Sequence, residues 1–381
     1  MKVIRSFAAA VLLVVFTVSP AVAADTIKIG ALLAVTGPAS FLGAPEAKTL
    51  EMLVNDINKK GGVRGRKIEL ISMDTGSSPE KAFSFAKQLI EEKKVLAIIG
   101  PSTSGETMKI KNVAEEGKTT LISCSAAEVI VKPVARYVFK VPQDDSDVAV
   151  KIFDQMNRMH ITKIGLLSSN TGFGKAGKEQ VEKLAPAHGI TVAVNEVYDK
   201  SATDLTAEVT KLKAAGVQAV LNWSIEPAQS IVIKNARQIG LNVPFFQSHG
   251  FANIKYAEAA GPAAEGVMFP AGKLLVAETL PKNDKQKDVL VKYKRAYESK
   301  FNEDASTFGG HAYDALYLIL NAVEKTGGTD KEAVRTAIEN TKGFVGIGGI
   351  FNFTPADHNG LDISNVGMLT VKKGRFAILG K

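Results

Sequence analysis

The chain has 381 residues, of which 45% are hydrophobic and 33 are glycine, enough to build two domains with sizeable cores. Its formal net charge is +8. The basic residues are spread along the chain and do not interleave with aromatic residues, so a nucleic-acid-binding protein is not indicated. A single cysteine, Cys124, excludes an internal disulfide, and no later segment is long and apolar enough to predict a transmembrane helix.

The first 24 residues predict a secretory signal peptide. Lys2 and Arg5 precede an apolar run from Phe7 to Val18, and small residues follow at 21–24. This order is typical of a cleaved export signal, and the run is too short to span a membrane as a helix; a buried N-terminal helix is the alternative. We expect cleavage after residue 23 or 24 and a periplasmic mature protein.

Short β-branched runs alternate with segments of helical periodicity along the chain. Strands are predicted at 26–33, 67–73, 95–99, 119–123, 163–167, 191–197, 219–221 and 244–246. Helices are predicted at 46–60, from Ser78 onward, at 104–116, at 286–300 and at 311–325, and short strands at 350–353, 366–371 and 375–379. The repeated βαβ order predicts an α/β fold with parallel sheets that helices cover on both faces.

The chain is too long for one such sheet, so we predict two lobes. The first comprises residues 25–142 and 272–350, and the second comprises 143–271 and 351–381. Several short crossovers between two lobes would form a hinged cleft. Ligands of open parallel sheets bind at the carboxyl ends of the strands, so this cleft is the predicted site.

The stretch TGFGKAGKE, residues 171–179, resembles a phosphate-binding loop, because Gly172, Gly177 and Lys178 fit the spacing G-x-x-x-x-G-K. Such a loop needs Ser or Thr after the lysine to hold magnesium. Glu179 stands there instead, and its carboxylate would repel phosphate. The chain also lacks HExxH, G-x-S-x-G and Cys/His metal-ligand spacings. The sequence therefore predicts no enzyme, no cofactor and no metal.

Hydroxyl-rich segments follow two neighbouring predicted strands. Ser102, Thr103 and Ser104 stand where one strand gives way to a helix, and Ser125 follows the next strand. Free amides and the helix dipole at such positions favour an anion such as a carboxylate. Ordinary helix capping explains either segment alone, whereas the two together predict a carboxylate site.

The chain resembles the type I periplasmic binding proteins, in particular their leucine/isoleucine/valine-binding branch. The resemblance runs from Ile27 to about Leu379 and rests on motifs in the family's order: IKIGALLAVTGPASFLG, INKKGGVRGRKIEL, AIIGPSTS, LISCSAA, TGFGKAGKE, PFFQSHGFAN, AAEGVMF and AYDALYLI. It implies two Rossmann-like lobes joined by three crossovers, in a monomer that closes on a solute. It also implies delivery to the permease and ATPase of an ABC importer, and no catalytic activity.

The resemblance also implies a ligand pocket, residue by residue. Ser104 matches the serine that binds the ligand carboxylate, Ser125 matches a position of backbone contacts, and Phe173 takes the place of an aromatic residue in the cleft. Other positions depart from the family pattern: Ala127 replaces a threonine, His249 replaces the glutamate that pairs with the α-ammonium, and Leu42 and Ile225 replace aromatic residues.

These departures affect the ammonium half of the pocket, because a buried ammonium needs an anion or several acceptors. The sequence therefore predicts a small organic acid without an α-amine, such as an aromatic acid or a branched 2-oxo or hydroxy acid. Phe173 and Trp223 are expected to stack on a ring, although Trp223 also fits a core position. His249 is expected to donate to a phenol, a keto oxygen or a second carboxylate, or else to fill space.

Two alternatives stay open. A branched-chain amino acid is the alternative ligand, with its ammonium held by waters or by Glu226 in the matching loop of the second lobe. Presentation of the ligand to a sensor is the alternative to transport.

Overall fold

The computed structural model describes residues 26–380; the predicted signal peptide lies outside the described residues. The strands are β1 (Ile27–Leu33), β2 (Ile68–Asp74), β3 (Ala97–Ile99), β4 (Thr120–Ser123), β5 (Val138–Lys140), β6 (Lys163–Ser169), β7 (Thr191–Tyr198), β8 (Ala219–Trp223), β9 (Phe245–Gln247), β10 (Met268–Ala271), β11 (Phe344–Val345), β12 (Ile350–Phe351), β13 (Gly367–Lys372) and β14 (Arg375–Ile378).

The α-helices are α1 (Ser40–Lys59), α2 (Pro79–Lys87), α3 (Ser104–Glu116), α4 (Asp145–Arg158), α5 (Gly172–Leu184), α6 (Thr206–Ala214), α7 (Ala228–Gln238), α8 (Ile254–Ala260), α9 (Lys287–Phe301), α10 (Thr307–Thr326) and α11 (Lys331–Glu339). Within residues 26–380, none of the helices combines the length and apolar character needed to cross a membrane.

The strands form two large sheets, one in each lobe. The first has the order β2-β1-β3-β4-β5 and is parallel throughout. The second has the order β14-β13-β10-β9-β8-β6-β7, and the predicted α/β fold is confirmed. Strands β13 and β14, the last two in the chain, differ from the expected parallel pattern, because β13 runs antiparallel to both β10 and β14. Lys373 and Gly374 join β13 to β14 with φ of 52° and 71°, and such a tight turn can connect only antiparallel strands.

Apart from its edge strand β2, the first sheet is buried on both faces, as its nearly continuous apolar strands require. Ile29 and Leu33 of β1 pack with α1 and α10 on one face. Leu32 points to the opposite face and packs with α2 and α3, because successive side chains of a strand alternate. The second sheet has one large core, which also includes Leu42 and Phe308 from the first lobe.

Side-chain caps fix where several helices begin. Ser78 caps α2 by accepting a hydrogen bond from the Lys81 amide at 3.3 Å, and Pro79 occupies the first helical position, as the sequence predicts. By contrast, α1 begins at Ser40, earlier than the predicted residue 46, and contains Pro45. The early start carries Leu42 into contact with the second lobe.

The chain passes between the sheets after β5, after β10 and between β12 and β13. The third passage lies later than the predicted change of lobe at residue 351. Phe351, Phe353 and Leu361 still belong to the core of the first sheet, and the rings of Phe353 and Phe139 lie 5.7 Å apart. Aromatic packing therefore holds this segment on the first lobe.

Candidate functional site

The two lobes are in contact across the predicted cleft. The first turns of α3 and α5 meet so closely that a Cβ atom on Gly172 would lie 2.8 Å from the Gly105 Cα atom. On another side of the cleft, Asn253 Nδ2 donates to the Phe41 carbonyl oxygen at 2.9 Å, and the Phe41 ring lies 5.1 Å from that of Tyr256. This is a closed arrangement of the lobes.

An inner cavity lies between the lobes. Most of its walls come from segments that follow the carboxyl ends of β3, β4, β5, β6, β8 and β9, where ligands of parallel sheets bind. Helices α1 and α10 supply the remaining residues. The lining residues are Leu42, Ser102, Ser104, Cys124, Ser125, Ala126, Pro142, Phe173, Ile225, His249, Gly250, Phe308 and His311.

One end of the inner cavity carries hydroxyl groups and a helix N-terminus. Ser104 is the first residue of α3, whose first amides have no acceptor within the helix. Its Oγ atom accepts from the Ala127 amide at 3.3 Å, which leaves the hydroxyl proton available for a ligand. Ser125 Oγ lies 2.7 Å from Ser123 Oγ and 2.8 Å from Thr107 Oγ1. Free amides at a helix N-terminus favour an anion.

A cluster of three rings forms the wall of the second lobe. Phe173 and His249 line the cavity, with ring centroids 5.4 Å apart. Trp223 lies behind them, fully buried, at 5.9 Å from Phe173 and 6.0 Å from His249. Trp223 therefore supports the wall, and the expected stacking of its ring on a ligand does not match this position.

The first lobe contributes His311 and Phe308, which sequence reasoning missed. Both are on the first turns of α10 and their rings lie 5.9 Å apart. His311 stands on an apolar helical stretch, where a histidine is usually a core residue, so the pattern gave no functional signal. The fold brings it to the same cavity that His249 lines.

Both cavity histidines are held neutral. Burial lowers the pKa of His249 to about 3; the positive charge of Lys140 and the proximity of His311 act in the same direction, and Asp144 opposes them. Burial likewise lowers the pKa of His311 to about 3, with a further contribution from Lys140 and an opposing hydrogen bond to the Cys124 backbone. Neutral imidazoles offer hydrogen bonds but no charge to a ligand.

Two acidic side chains lie near the inner cavity without lining it. Glu46 is fully buried behind Ser102, to which it is hydrogen-bonded, and burial raises its pKa well above the ordinary value. Glu226 accepts hydrogen bonds from the Ser224 hydroxyl at 2.7 Å and the Ile225 amide at 3.2 Å. Among the described residues, the lining of the inner cavity therefore contains no carboxylate.

A second, outer cavity with an empty volume of about 830 Å³ shares Phe173 and Ile225 with the inner one. Thr103, Lys200 and Glu226 line it. The Thr103 hydroxyl accepts from the Glu106 amide at 3.4 Å, which caps α3, and donates to Glu106 Oε2 at 2.6 Å. Thr103 thus faces the outer cavity, with its side chain engaged in capping α3.

The predicted site residues divide into two groups. Six line the inner cavity, namely Leu42, Ser104, Ser125, Phe173, Ile225 and His249. Three do not, namely Thr103, Ala127 and Trp223. The Ala127 side chain packs in the core of the first lobe, and its neighbour Ala126 faces the cavity instead.

The glycines that resemble a phosphate-binding loop have packing roles. A Cβ atom on Gly177 would lie 2.0 Å from Trp223 Nε1, so only glycine leaves room for that ring. Gly172 allows the close approach of α3. Thr171 caps α5 by accepting from the Gly174 amide at 3.3 Å. No group of side chains within residues 26–380 is arranged to hold a metal ion.

A buried ion pair occupies the first passage between the lobes. Lys140 is fully buried; its Nζ atom donates to the Pro142 carbonyl oxygen at 2.9 Å and lies 2.6 Å from Asp144 Oδ1. Asp144 also pairs with Lys132 at 3.1 Å. Asp144, which directly precedes α4, therefore pairs with two lysines.

Comparisons with known proteins give consistent results. Residues 26–375 match the family model described as "Periplasmic binding protein". The leucine-, isoleucine-, valine-, threonine- and alanine-binding protein of Pseudomonas aeruginosa is 29% identical over 324 residues, which are 84% of each chain.

Solved structures match over nearly the whole chain. An extracellular ligand-binding receptor from Rhodopseudomonas palustris HaA2 superposes with a TM-score of 0.87 and 27% identity, covering 93% of this chain and 99% of the receptor. A branched-chain amino acid transporter substrate-binding protein of Streptococcus pneumoniae, solved with isoleucine, gives a TM-score of 0.82 and 26% identity, covering 92% and 97%.

Proposed function

Because the chain belongs to the periplasmic binding protein family, we propose that it captures a small organic acid without an α-amine and delivers it to an ABC importer. The family match and the similarity to branched-chain amino acid-binding proteins confirm the resemblance to the leucine/isoleucine/valine-binding branch. The chain is a solute-binding protein of the branched-chain amino acid transporter type and not an enzyme. The ligand class, the periplasmic location and the partnership with a permease and an ATPase are proposals for this chain.

The observation that carries the ligand proposal is the asymmetry of the inner cavity. Its hydroxyl-rich end, at Ser104 and Ser125, can receive a carboxylate. The opposite walls consist of apolar side chains and the two histidines. Within the described chain, no acidic side chain lines this cavity, so the ammonium of an amino acid would have no anionic partner there.

An unpaired ammonium in this cavity would be costly. The effective penalty for burying an unpaired ion is several kcal/mol even after the protein relaxes. Neutral His249 can accept one hydrogen bond, but it cannot balance a full positive charge. An acid of the same carbon skeleton without the amine avoids this penalty and keeps the apolar contacts with Leu42, Ile225 and Phe308.

A branched-chain amino acid is the second candidate, since the Pseudomonas relative is named for binding such ligands. It requires a counter-ion for the ammonium, and Glu226 is the candidate on the second lobe. Glu226 already accepts from Ser224 and Ile225 and faces the outer cavity. Binding an ammonium in the inner cavity would need this side chain to turn away from both partners.

Closure of the lobes provides the mechanism of capture. Ser104 and Ser125 belong to the first lobe, whereas Phe173 and His249 belong to the second. A ligand in the inner cavity contacts both sets only when the lobes are closed, so it shifts the population toward the closed form. The importer would then recognise the closed lobes.

A thermal-shift screen tests this proposal. The mature protein is refolded to strip any carried ligand, and then mixed with aliphatic amino acids, aromatic acids, 2-oxo acids, 2-hydroxy acids and dicarboxylates. A ligand present at about a hundred times its dissociation constant adds roughly 2.7 kcal/mol of stability. We expect monocarboxylates without an amine to raise the melting temperature more than leucine, isoleucine or valine. The opposite order would contradict the proposal.

A further inference from the structure

We propose that His249 and His311 together form a binding site for a ligand hydroxyl group, which narrows the ligand class to hydroxycarboxylic acids. This inference rests on the proposed capture of an acid without an amine. It adds a specificity determinant, His311, and a second polar group on the ligand besides the carboxylate.

The first support is the set of unpartnered nitrogen atoms. His249 and His311 are 7% and 5% exposed and both line the inner cavity. Both ring nitrogens of His249 and the Nδ1 atom of His311 are buried without a hydrogen-bond partner. Buried polar atoms are nearly always paired in native proteins, so these atoms indicate a polar ligand group between the two rings.

The second support is the origin of the two rings. His311 comes from α10 of the first lobe, and His249 follows β9 of the second lobe. The pair therefore comes together only when the lobes close. A ligand group that bonds to both rings would favour the closed form directly.

The protonation of the rings selects the kind of group. A neutral imidazole has one N–H donor and one acceptor nitrogen. The Nδ1 atom of His311 is buried without a partner, and it accepts a hydrogen bond when the ring carries its proton on Nε2. Neutral His249 presents one donor and one acceptor.

A hydroxyl group matches this pair, because it donates one hydrogen bond and accepts another. It can donate to His311 Nδ1 while it accepts from the N–H of His249. A keto oxygen or a carboxylate only accepts, so it would leave this acceptor nitrogen of His311 unpaired. An ammonium could donate to one nitrogen of each ring, but two neutral imidazoles would leave its positive charge unbalanced. The charged groups that act on the rings, Lys140 and Asp144, are paired with each other, so they do not supply a free charge for a second carboxylate.

The experiment uses two matched series of ligands on the mature protein by isothermal titration calorimetry. The aliphatic series is 2-hydroxy-4-methylpentanoate, 4-methyl-2-oxopentanoate, 4-methylpentanoate and leucine. The phenolic series is 4-hydroxyphenylacetate and phenylacetate. We expect the hydroxy acid of at least one series to bind at least about tenfold more tightly than its partner without the hydroxyl, because a site built for a hydroxyl rejects analogues that lack it. The series that shows this preference identifies the hydroxyl as aliphatic or phenolic.

Variants connect the preference to the histidines. His311→Leu and His249→Leu should each reduce the preference for the hydroxyl to less than about threefold, because one of its two partners is lost. His188→Leu is the matched control, since His188 packs against Phe153 outside the cavity. It should keep the preference of the unmodified protein.

The failures of the two proposals are distinguishable. If leucine binds more tightly than every acid without an amine, the proposed function is wrong. If acids without an amine bind more tightly than leucine but the hydroxyl gives no advantage in either series, the proposed function stands and the histidine site is overturned. This ligand comparison uses the unmodified protein, so it is independent of whether the variants fold.

Discussion

Replacing Gly172 with alanine should hold the two lobes apart. The added Cβ atom would lie 2.8 Å from both Cα and N of Gly105 and 3.5 Å from the Ser104 carbonyl carbon. These are backbone atoms at the start of α3 and cannot move aside as a flexible side chain would. Overpacking of this kind costs about 1–3 kcal/mol. Since 1.4 kcal/mol is tenfold in affinity, the dissociation constant should rise by about 5- to 140-fold.

The assay is calorimetric titration with 2-hydroxy-4-methylpentanoate, or with 4-hydroxyphenylacetate if that acid binds more tightly. Gly105→Ala is the matched control, because its Cβ atom would lie 3.8 Å from the Gly172 nitrogen, an ordinary contact. It should bind nearly as well as the unmodified protein. Small-angle X-ray scattering should show a larger radius of gyration for the ligand-bound Gly172→Ala variant. Unchanged affinity in Gly172→Ala, or equal losses in both variants, would refute the role of this contact in closure.

Three further predictions concern pH and packing. The affinity for the acid ligand should fall when the pH drops from 7.5 to 5.5. The closed cleft holds the pKa of His249 and His311 near 3, against an ordinary value of about 6.5, so closure carries no protonation penalty above pH 6.5. At pH 5.5 each ring must lose a proton on closure, which lowers the affinity about tenfold for each ring. A flat titration profile would contradict this. Gly177→Ala would place Cβ 2.0 Å from Trp223 Nε1 and should lower stability in urea by about 1–3 kcal/mol; an unchanged midpoint would show that the ring can move. Asp314→Ala should cost about 1–3 kcal/mol in the same assay, because the carboxylate accepts from the amides of residues 347 and 348 at 2.6 and 2.7 Å; unchanged unfolding would mean that water replaces it.

The order of strands and helices was predictable because it depends on local periodicity and caps. The pairs that open α2 and α3, Ser78-Pro79 and Thr103-Ser104, are local signals that the structure confirms. The antiparallel β13 was not predicted, since strand direction depends on the turn that follows and on the strand beside it. The packing of Phe353 on the first lobe also depends on contacts with residues that are distant in sequence.

The site was predictable where its residues follow strand ends. Ser104, Ser125 and His249 stand in such segments and line the inner cavity. The sequence did not distinguish Ala126 from Ala127, because a single residue in a turn decides which side chain faces the cavity and no periodicity fixes that choice. His311 was missed for another reason: it comes from a helix far along the chain, and only the packing of α10 against the cleft brings it there.

The most direct test of the ligand proposal compares ligands that differ only at C2. Stripped protein is titrated with leucine and 2-hydroxy-4-methylpentanoate, and in parallel with phenylalanine and 3-phenyllactate; each pair exchanges an ammonium for a hydroxyl on the same skeleton. Since no carboxylate lines the inner cavity of the described chain, we expect the hydroxy acid of the better-binding pair to be at least about tenfold tighter. Tighter binding of the amino acid in that pair would show that the ammonium has a partner, and would contradict the proposed function.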